Sequence, residues 1–213
     1  MRKNGTELVF ILDKSGSMSG LEADTIGGYN AMLANQRNAE GEAVVTTVLF
    51  NHTIDLLHDR IQIKEISPIT EQEYMVGGTT ALLDAIGSTI HKIGNVQKRT
   101  NEAERAGKVL FVITTDGMEN TSWEYGYEKV KEMIERQKVT YGWEFIFLGA
   151  NIDAVSTAAK FGIQEEFAVK YHANSKGTQV NFEALNEVVT SVREGRKVDH
   201  TWKEAIEKDF ERR

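Results

Sequence analysis

The chain alternates between short, continuously apolar runs and longer segments in which apolar residues recur at helical spacing. Two of the apolar runs, residues 8–12 and 109–113, lead towards an aspartate, Asp13 and Asp116 respectively. Both runs are too short for a helix and lack the polar alternation of a strand with one solvated face. They therefore predict strands that are buried on both faces, as in the middle of a parallel sheet.

The remaining pattern predicts strands and helices in alternation. Further strands are expected at residues 43–50, 53–57, 143–148 and 166–169. Helices are expected at residues 21–40, from 81 into the polar stretch 97–105, and at 123–138, 154–161, 178–193 and 199–210. The last of these helices is expected to be charged and mostly exposed. The sequence thus predicts a doubly wound α/β fold, with helices on both faces of a mainly parallel six-stranded sheet.

Three local features refine this picture. Residues 53–57 follow the preceding strand so closely that they are expected to return antiparallel to it, at an edge of the sheet. Residues 59–73 include the only proline, Pro68, and are expected to form a loop with one short helical turn. Gly27 and Gly28 in the first helix each cost about 1 kcal/mol relative to alanine, which close packing of that helix against the sheet would explain.

Composition narrows the class of protein. The chain has 213 residues, 40% of them hydrophobic, which suits one domain over residues 1–213. Its net charge of −7 argues against a nucleic acid or an anionic membrane as partner. It has no cysteine, which excludes disulfides, thiolate metal sites and thiol catalysis. Since no signal segment precedes the first strand and no apolar run approaches the roughly 20 residues of a membrane span, a soluble cytoplasmic protein of bacterial type is expected.

Oxygen-bearing side chains follow the two most apolar strands. Asp13, Ser15 and Ser17 stand at alternate positions after the first strand, and Asp116 ends the other. If the strands are parallel neighbours, their exit loops meet at one edge of the sheet, where open α/β sheets bind ligands. Two carboxylates brought together there are unfavourable unless a cation lies between them. Hard oxygen ligands suit Mg²⁺ or Mn²⁺, although a helix cap at Ser17 or Ser19 also fits the first loop.

The residues at these positions match a family pattern. The segment Asp-Lys-Ser-Gly-Ser-Met-Ser resembles the first metal-binding motif of the von Willebrand factor A domain, and Ile-Thr-Thr-Asp-Gly resembles the third. Between them, Gly-Thr-Thr-Ala-Leu-Leu-Asp-Ala looks like the middle motif, in which Thr80 fits best and Thr79 is the alternative. The resemblance covers about residues 5–170 and leaves 175–213 as a C-terminal helical extension. It implies a Rossmann-like fold and a metal-ion-dependent adhesion site (MIDAS) formed by Asp13, Ser15, Ser17, Thr80 and Asp116.

The resemblance also implies a function. Many members of the family bind ligands through this site and are not enzymes. The neutral hydroxyls leave the cation electrophilic, with an open position that an Asp or Glu side chain of a partner protein can fill. We therefore expect a protein-binding module that uses Mg²⁺ or Mn²⁺ in an adaptor or assembly role, without enzymatic activity.

A metal-dependent phosphohydrolase is the competing hypothesis, because such enzymes also place an Asp after a first strand and bind Mg²⁺ at the sheet edge. One common type uses a second Asp two residues later as general acid, and Ser15 cannot do that chemistry. Lys14 lies in the loop, but no convergence of Lys and Arg on a phosphate is visible. A hydrolase elbow and a P-loop are excluded, since Met18 stands at the nucleophile position and Lys108 precedes a strand.

Several nearby residues allow two interpretations. Trp123, Tyr125 and Tyr127 follow the Asp116 loop, either as an aromatic rim that contacts a partner or as the packing of a helix start. Asn151 and Asp153 end the fifth strand, where capping of the next helix is favoured over a place at the site.

Two further predictions concern residues outside the motifs. Asp84 lies in the first turn of its helix, where a carboxylate suits the helix dipole, and is expected to be structural. The five histidines form no close pair at ligand spacing and are expected in turns or at the surface. Neither group is therefore predicted to bind the metal directly.

Overall fold

The computed structural model describes residues 2–212, with side chains from residue 5 to residue 212. Over this range the strands are β1 (Arg2–Asp13), β2 (Glu42–Phe50), β3 (Ile54–Gln62), β4 (Ala106–Thr115), β5 (Glu144–Ala150) and β6 (Ala168–Tyr171). They form one six-stranded sheet in the order β3-β2-β1-β4-β5-β6. All neighbouring strands are parallel except for β2 and β3, which pair antiparallel at one edge of the sheet. The predicted sheet and its antiparallel edge strand are confirmed.

Helices connect the strands. Over the same range they are α1 (Glu22–Arg37), α2 (Leu82–Arg99), α3 (Tyr127–Tyr141), α4 (Ala154–Lys160), α5 (Ser175–Arg193) and α6 (Glu204–Glu211). Within the described part of the chain, none of them is both long enough and apolar enough to span a membrane.

The helices bury both faces of the sheet. On one face, Leu8 and Phe10 of β1 share a core with α1 and α5. On the other face, Val9 and Ile11 of the same strand share a core with α2, α3 and α4. Successive side chains of a strand point to opposite faces, so a strand covered on both sides must be apolar throughout. This arrangement confirms the doubly wound fold.

The two strands that precede an aspartate are neighbours at the centre of the sheet, as predicted. In their parallel register Leu12 lies beside Thr114, so the following residues Asp13 and Thr115 leave the sheet side by side. The loops after β1 and β4 therefore start from adjacent points on the carboxyl edge, where ligand sites of such sheets lie.

The edge strand β3 is longer than predicted. The sequence pattern indicates a strand only over residues 53–57, whereas the ladder continues to Gln62, which lies opposite Val44. The pairing shifts register near Thr47, and Arg60 has a positive φ of 54°. An edge strand is held by backbone pairing while most of its side chains face solvent. The polar residues at the end of β3 therefore give no apolar run from which a strand could be predicted.

Helix α5 packs against α1 and begins earlier than predicted, at Ser175 rather than at residue 178. The Asn174 side chain caps it by accepting a hydrogen bond of 2.9 Å from the backbone N–H of Gly177. Phe182 of α5 lies so close to Gly28 that a Cβ there would come within 2.3 Å of its ring. The glycine of α1 thus permits close packing against α5, and not against the sheet as predicted.

Helix α6 packs on the edge strand β6 and on α5. Trp202 and Ile206 are buried there, and the Trp202 indole N–H donates to the Glu166 carbonyl at 2.8 Å. The buried Lys203 ammonium donates to the Ala168 carbonyl at 3.1 Å. Residues 199–210 are mostly exposed, as predicted, but Trp202, Lys203, Ile206 and Asp209 form a buried face. The helix begins at Glu204 and not at residue 199, because a short 3-10 turn, His200–Lys203, precedes it.

Candidate metal centre

Three loops meet at the carboxyl edge of the sheet and are joined through their backbones. The Gly16 N–H donates to the Gly78 carbonyl at 3.0 Å, and the Gly77 N–H donates to the Lys14 carbonyl at 2.9 Å. The Asn120 N–H donates to the Thr80 carbonyl at 3.1 Å. The loop after β1, the segment before α2 and the loop after β4 thus form one connected unit.

Three hydroxyl groups from these loops lie around Gly117. A Cβ built on Gly117 would lie 3.0 Å from Ser17 Oγ, 3.0 Å from Thr80 Oγ1 and 3.8 Å from Ser15 Oγ. The two serine oxygens are themselves 3.0 Å apart. Thr80 is buried and faces this point, whereas Thr79 is exposed, which favours Thr80 over Thr79 as a site residue.

Asp13 is buried beside these hydroxyls and is held by neutral donors. Its Oδ1 accepts the Ser15 backbone N–H at 2.7 Å, and its Oδ2 accepts the Thr115 hydroxyl at 2.6 Å. The Asp116 backbone N–H lies 3.4 Å from the same Oδ2. Burial raises the pKa of Asp13, and the hydrogen bonds from Ser15 and Thr115 oppose that rise.

Asp116 is the second buried carboxylate. Its pKa is raised to about 6, mainly by burial; the Asn151 hydrogen bond opposes this rise and the negative charge of Asp13 adds to it. The Asn151 side-chain amide donates to Asp116 Oδ1. Asp153, and not Asn151, caps the following helix, by accepting the Ser156 N–H at 3.1 Å. The predicted capping role is therefore confirmed for Asp153 and wrong for Asn151, whose side chain positions Asp116.

The chemistry of the donor set is restricted to oxygen. Among residues 2–212, no three His, Cys, Asp or Glu side chains converge in a way that could hold a metal ion. Within residues 5–212, this edge offers two carboxylates without a Lys, Arg or His partner, and three hydroxyls. This set suits a small hard divalent cation such as Mg²⁺ or Mn²⁺ better than a metal that prefers thiolate or imidazole ligands.

An open cleft of about 380 Å³ adjoins this group. It lies between the loops that follow β1, β4, β5 and β6. Its lining residues are mostly small and polar: Ser17, Ser19, Gly20, Leu21, Asp116, Asn151, Ala173, Asn174 and Ser175. Lys14 turns away from it, since its ammonium lies 2.7 Å from the Asp55 carboxylate on β3. A phosphate at this edge would thus not meet the one basic residue that the sequence offered.

The loop after Asp116, residues 117–126, is fastened to the start of α2 by Asp84. The Asp84 carboxylate accepts the backbone N–H groups of Trp123, Glu124 and Tyr125 at 3.1, 3.0 and 2.8 Å. This role agrees with the structural interpretation of Asp84. Because these residues are held in a loop, α3 begins at Tyr127 and not at residue 123 as predicted.

The three aromatic residues of this segment divide between the two interpretations. Tyr125 packs on Gly87, where a Cβ would come within 2.3 Å of its ring. Tyr127 stacks on Phe161 with ring centroids 5.6 Å apart. Trp123 is 93% exposed. Packing therefore accounts for Tyr125 and Tyr127, and it does not account for Trp123.

Comparison with solved structures identifies the fold. The TRAP protein of Plasmodium vivax, manganese-loaded, gives a TM-score of 0.59 at 19% identity over 85% of this chain and 74% of that one. Proximal thread matrix protein 1 of the mussel byssus, with a zinc-occupied MIDAS motif, gives 0.59 at 14% identity over 87% of this chain and 46% of that one. A mutant PilB minor pilin of Streptococcus sanguinis gives 0.61 at 11% identity over 88% and 62%.

These likenesses show that the chain has the Rossmann-like α/β fold of von Willebrand factor A domains. The chain spans less than half the length of the mussel protein, at 46%. No protein-family model and no curated protein matches the sequence.

Proposed function

We propose that this protein is a divalent-cation-dependent protein-binding module. An Asp or Glu side chain of a partner protein would complete the coordination of the cation. The observation that supports this most is the convergence of three hydroxyl oxygens around Gly117, next to two buried carboxylates. The residues proposed to hold Mg²⁺ or Mn²⁺ are Asp13, Ser15, Ser17, Thr80 and Asp116.

The donor set itself favours the binding of a further anion. Hydroxyl oxygens carry no charge, so a cation held largely by them keeps its attraction for another carboxylate. The cleft beside Ser17 and Asp116 gives such a group access from solvent. The bound cation would supply the electrostatic attraction for the partner's carboxylate, and the five proposed ligand residues would hold the cation in position.

Two of the compared structures support a cation in a fold of this kind. One is manganese-loaded and the other has a zinc-occupied MIDAS. We extend this to the present chain as part of the proposal. An adaptor or assembly role in the cytoplasm of a bacterial type of cell completes it, in keeping with the absence of cysteine from the sequence.

Isothermal titration with MgCl₂ tests the cation site. The wild-type protein is expected to bind Mg²⁺ at one site, and Asp116→Ala is expected to bind at least about 100-fold more weakly, since a charged ligand is lost. Asp153→Ala is the matched control: it removes an exposed carboxylate that caps α4, and it should leave Mg²⁺ binding unchanged.

Two results would contradict the proposal. The first is wild-type protein that does not bind Mg²⁺ or Mn²⁺, or that binds them equally well after Asp116→Ala. The second is hydrolysis of a generic aryl phosphate that depends on Mg²⁺ and is lost in Asp116→Ala, which would favour the phosphohydrolase instead.

A further inference from the structure

The loop of residues 117–126 exposes two large apolar side chains next to the candidate metal centre. Trp123 is 93% exposed and Met118 is 71% exposed. Met118 lies two residues after Asp116, so their Cα atoms are within about 7 Å. Trp123 is bonded through its N–H to Asp84, which lies four residues after Thr80. Both residues therefore lie in the segment that joins Asp116 to the start of α2, next to the site.

The loop that carries them is fixed in place. Besides the three bonds to Asp84, the Glu119 carboxylate accepts the backbone N–H groups of Leu83, Thr121 and Ser122 at 2.8, 2.9 and 2.7 Å. Asn120 adds a side-chain bond of 2.9 Å from the Thr80 N–H. The polar groups of the loop thus point inward to α2, and the conformation does not depend on Trp123.

Other aromatic residues of the chain are packed against neighbours, in contrast to Trp123. Tyr125, two residues further on, packs on Gly87, and Tyr127 stacks on Phe161. Trp143 and Trp202 are 5% and 8% exposed. Because the loop backbone that carries the indole is already held, a partner that covers Trp123 orders its side chain and not the whole loop. Such preorganised aromatic anchors are typical centres of binding energy.

We propose that Trp123 and Met118 form an apolar subsite that selects the partner. This inference rests on the proposed function. The partner would be a protein segment in which a large apolar residue lies close in sequence to the Asp or Glu that binds the metal. The carboxylate would be attracted by the cation that Asp13, Ser15, Ser17, Thr80 and Asp116 are proposed to hold, as the proposed function states. The apolar residue packs on Trp123, which gives the specificity that a carboxylate alone lacks.

A peptide selection tests the subsite. Wild-type protein with Mg²⁺ is applied to an immobilised library of random dodecapeptides, and the retained sequences are compared with those retained in EDTA. The expected chelator-sensitive sequences contain Asp or Glu within a few residues of Trp, Phe, Leu or Met. For a retained peptide without Trp, Trp123→Ala is expected to bind about 30-fold more weakly, as for a typical hot-spot residue.

Matched variants separate the two claims. Tyr141→Ala removes an aromatic residue that is 57% exposed at the far end of α3, and it should bind the peptide as the wild type does. Asp116→Ala should bind no peptide. Binding of the same peptide should shift the fluorescence of Trp123 to shorter wavelength, a change absent from Trp123→Ala, whose melting temperature should match the wild type.

Each other outcome overturns a stated claim. Retained peptides with an acidic residue but no apolar preference, bound equally by Trp123→Ala, would overturn the subsite and leave the cation-dependent binding intact. An absence of chelator-sensitive peptides would overturn both. Self-association of the wild type that Trp123→Ala abolishes would assign this surface to a second copy of the chain and overturn the partner stated here.

Discussion

Two buried carboxylates lie on the central strand β1, Glu7 towards the amino edge of the sheet and Asp13 at its carboxyl edge. Glu7 and Asp13 are 0% and 1% exposed. At one edge, Glu7 Oε1 accepts from Arg60 Nε at 2.7 Å, and its other oxygen accepts from Gln97. At the other edge, Asp13 accepts only neutral donors and has a second carboxylate, Asp116, as neighbour.

The difference distinguishes a structural charge from a charge available to a ligand. Burial raises the pKa of both groups, and it is opposed by the guanidinium at Glu7 but only by hydrogen bonds at Asp13. A buried anion with a cation in the chain belongs to the scaffold. A buried pair of anions without one is stabilised in its charged form by a positive charge from outside the chain.

The largest expected effect concerns the response of these two carboxylates to Mg²⁺. At about 100 times its dissociation constant, Mg²⁺ should raise the free energy of unfolding of the wild type by about 2.7 kcal/mol. Asp13→Asn should lose this gain, whereas Glu7→Gln should keep it. Urea unfolding with Mg²⁺ and with EDTA measures both, and a gain that survives Asp13→Asn or disappears in Glu7→Gln would break the comparison.

A smaller effect should follow from removal of the scaffold carboxylate. Breaking a buried ion pair costs roughly 3–5 kcal/mol, and because Arg60 is partly exposed we expect about 2 kcal/mol for Glu7→Ala. The loss should be equal with and without Mg²⁺ in urea unfolding. Asp59→Ala, which breaks the half-exposed pair with Lys92, is the control and should cost less than about 1 kcal/mol. A Glu7→Ala protein as stable as the wild type would show that Arg60 does not need this partner.

The smallest effect is a pH dependence that sharpens the description of Glu7. Burial raises its pKa above the ordinary 4.5, although Arg60 lowers it in part. The folded state then binds the proton more tightly than the unfolded state, so stability falls as the pH rises from the unfolded value through the folded pKa. Glu7→Gln has no such proton. Without added metal, the stability of the wild type relative to Glu7→Gln should therefore decline across this window and stay level above it; a level difference throughout would contradict the raised pKa.

Much of the fold follows from apolar runs, because central parallel strands are buried on both faces and leave a continuous signal. β1 and β4, and with them the meeting of Asp13 and Asp116 at one edge, could be predicted in this way. β3 could be predicted only in part, since backbone pairing extends it through the polar residues 58–62. The burial of Trp202 and Ile206 depends on where α6 returns to β6, which local periodicity does not encode.

The candidate site was predictable where its residues follow the two central apolar strands β1 and β4, and not where a residue comes from β5. The spacing of Asp13, Ser15 and Ser17 fits an oxygen site but also a helix cap, and it is Asp116 after the second apolar strand that favours the oxygen site. Asn151, by contrast, follows β5 and reaches Asp116 only because β4 and β5 are adjacent. The sequence could have shown that Asn151 is not the cap, because Asp153 is the better capping position. Nothing in the local sequence, however, connects Asn151 with Asp116.

The main-chain hydrogen bonds among the three loops have a consequence for how such an edge can change. They fasten Gly16 to Gly78, Gly77 to Lys14, and Asn120 to Thr80, and none of them uses a side chain. The loops of the proposed ion site are thus joined through their backbones, and the hydroxyl side chains project from them. Exchange of a hydroxyl residue such as Ser17 would therefore change the preferred ion or ligand while these main-chain bonds are kept.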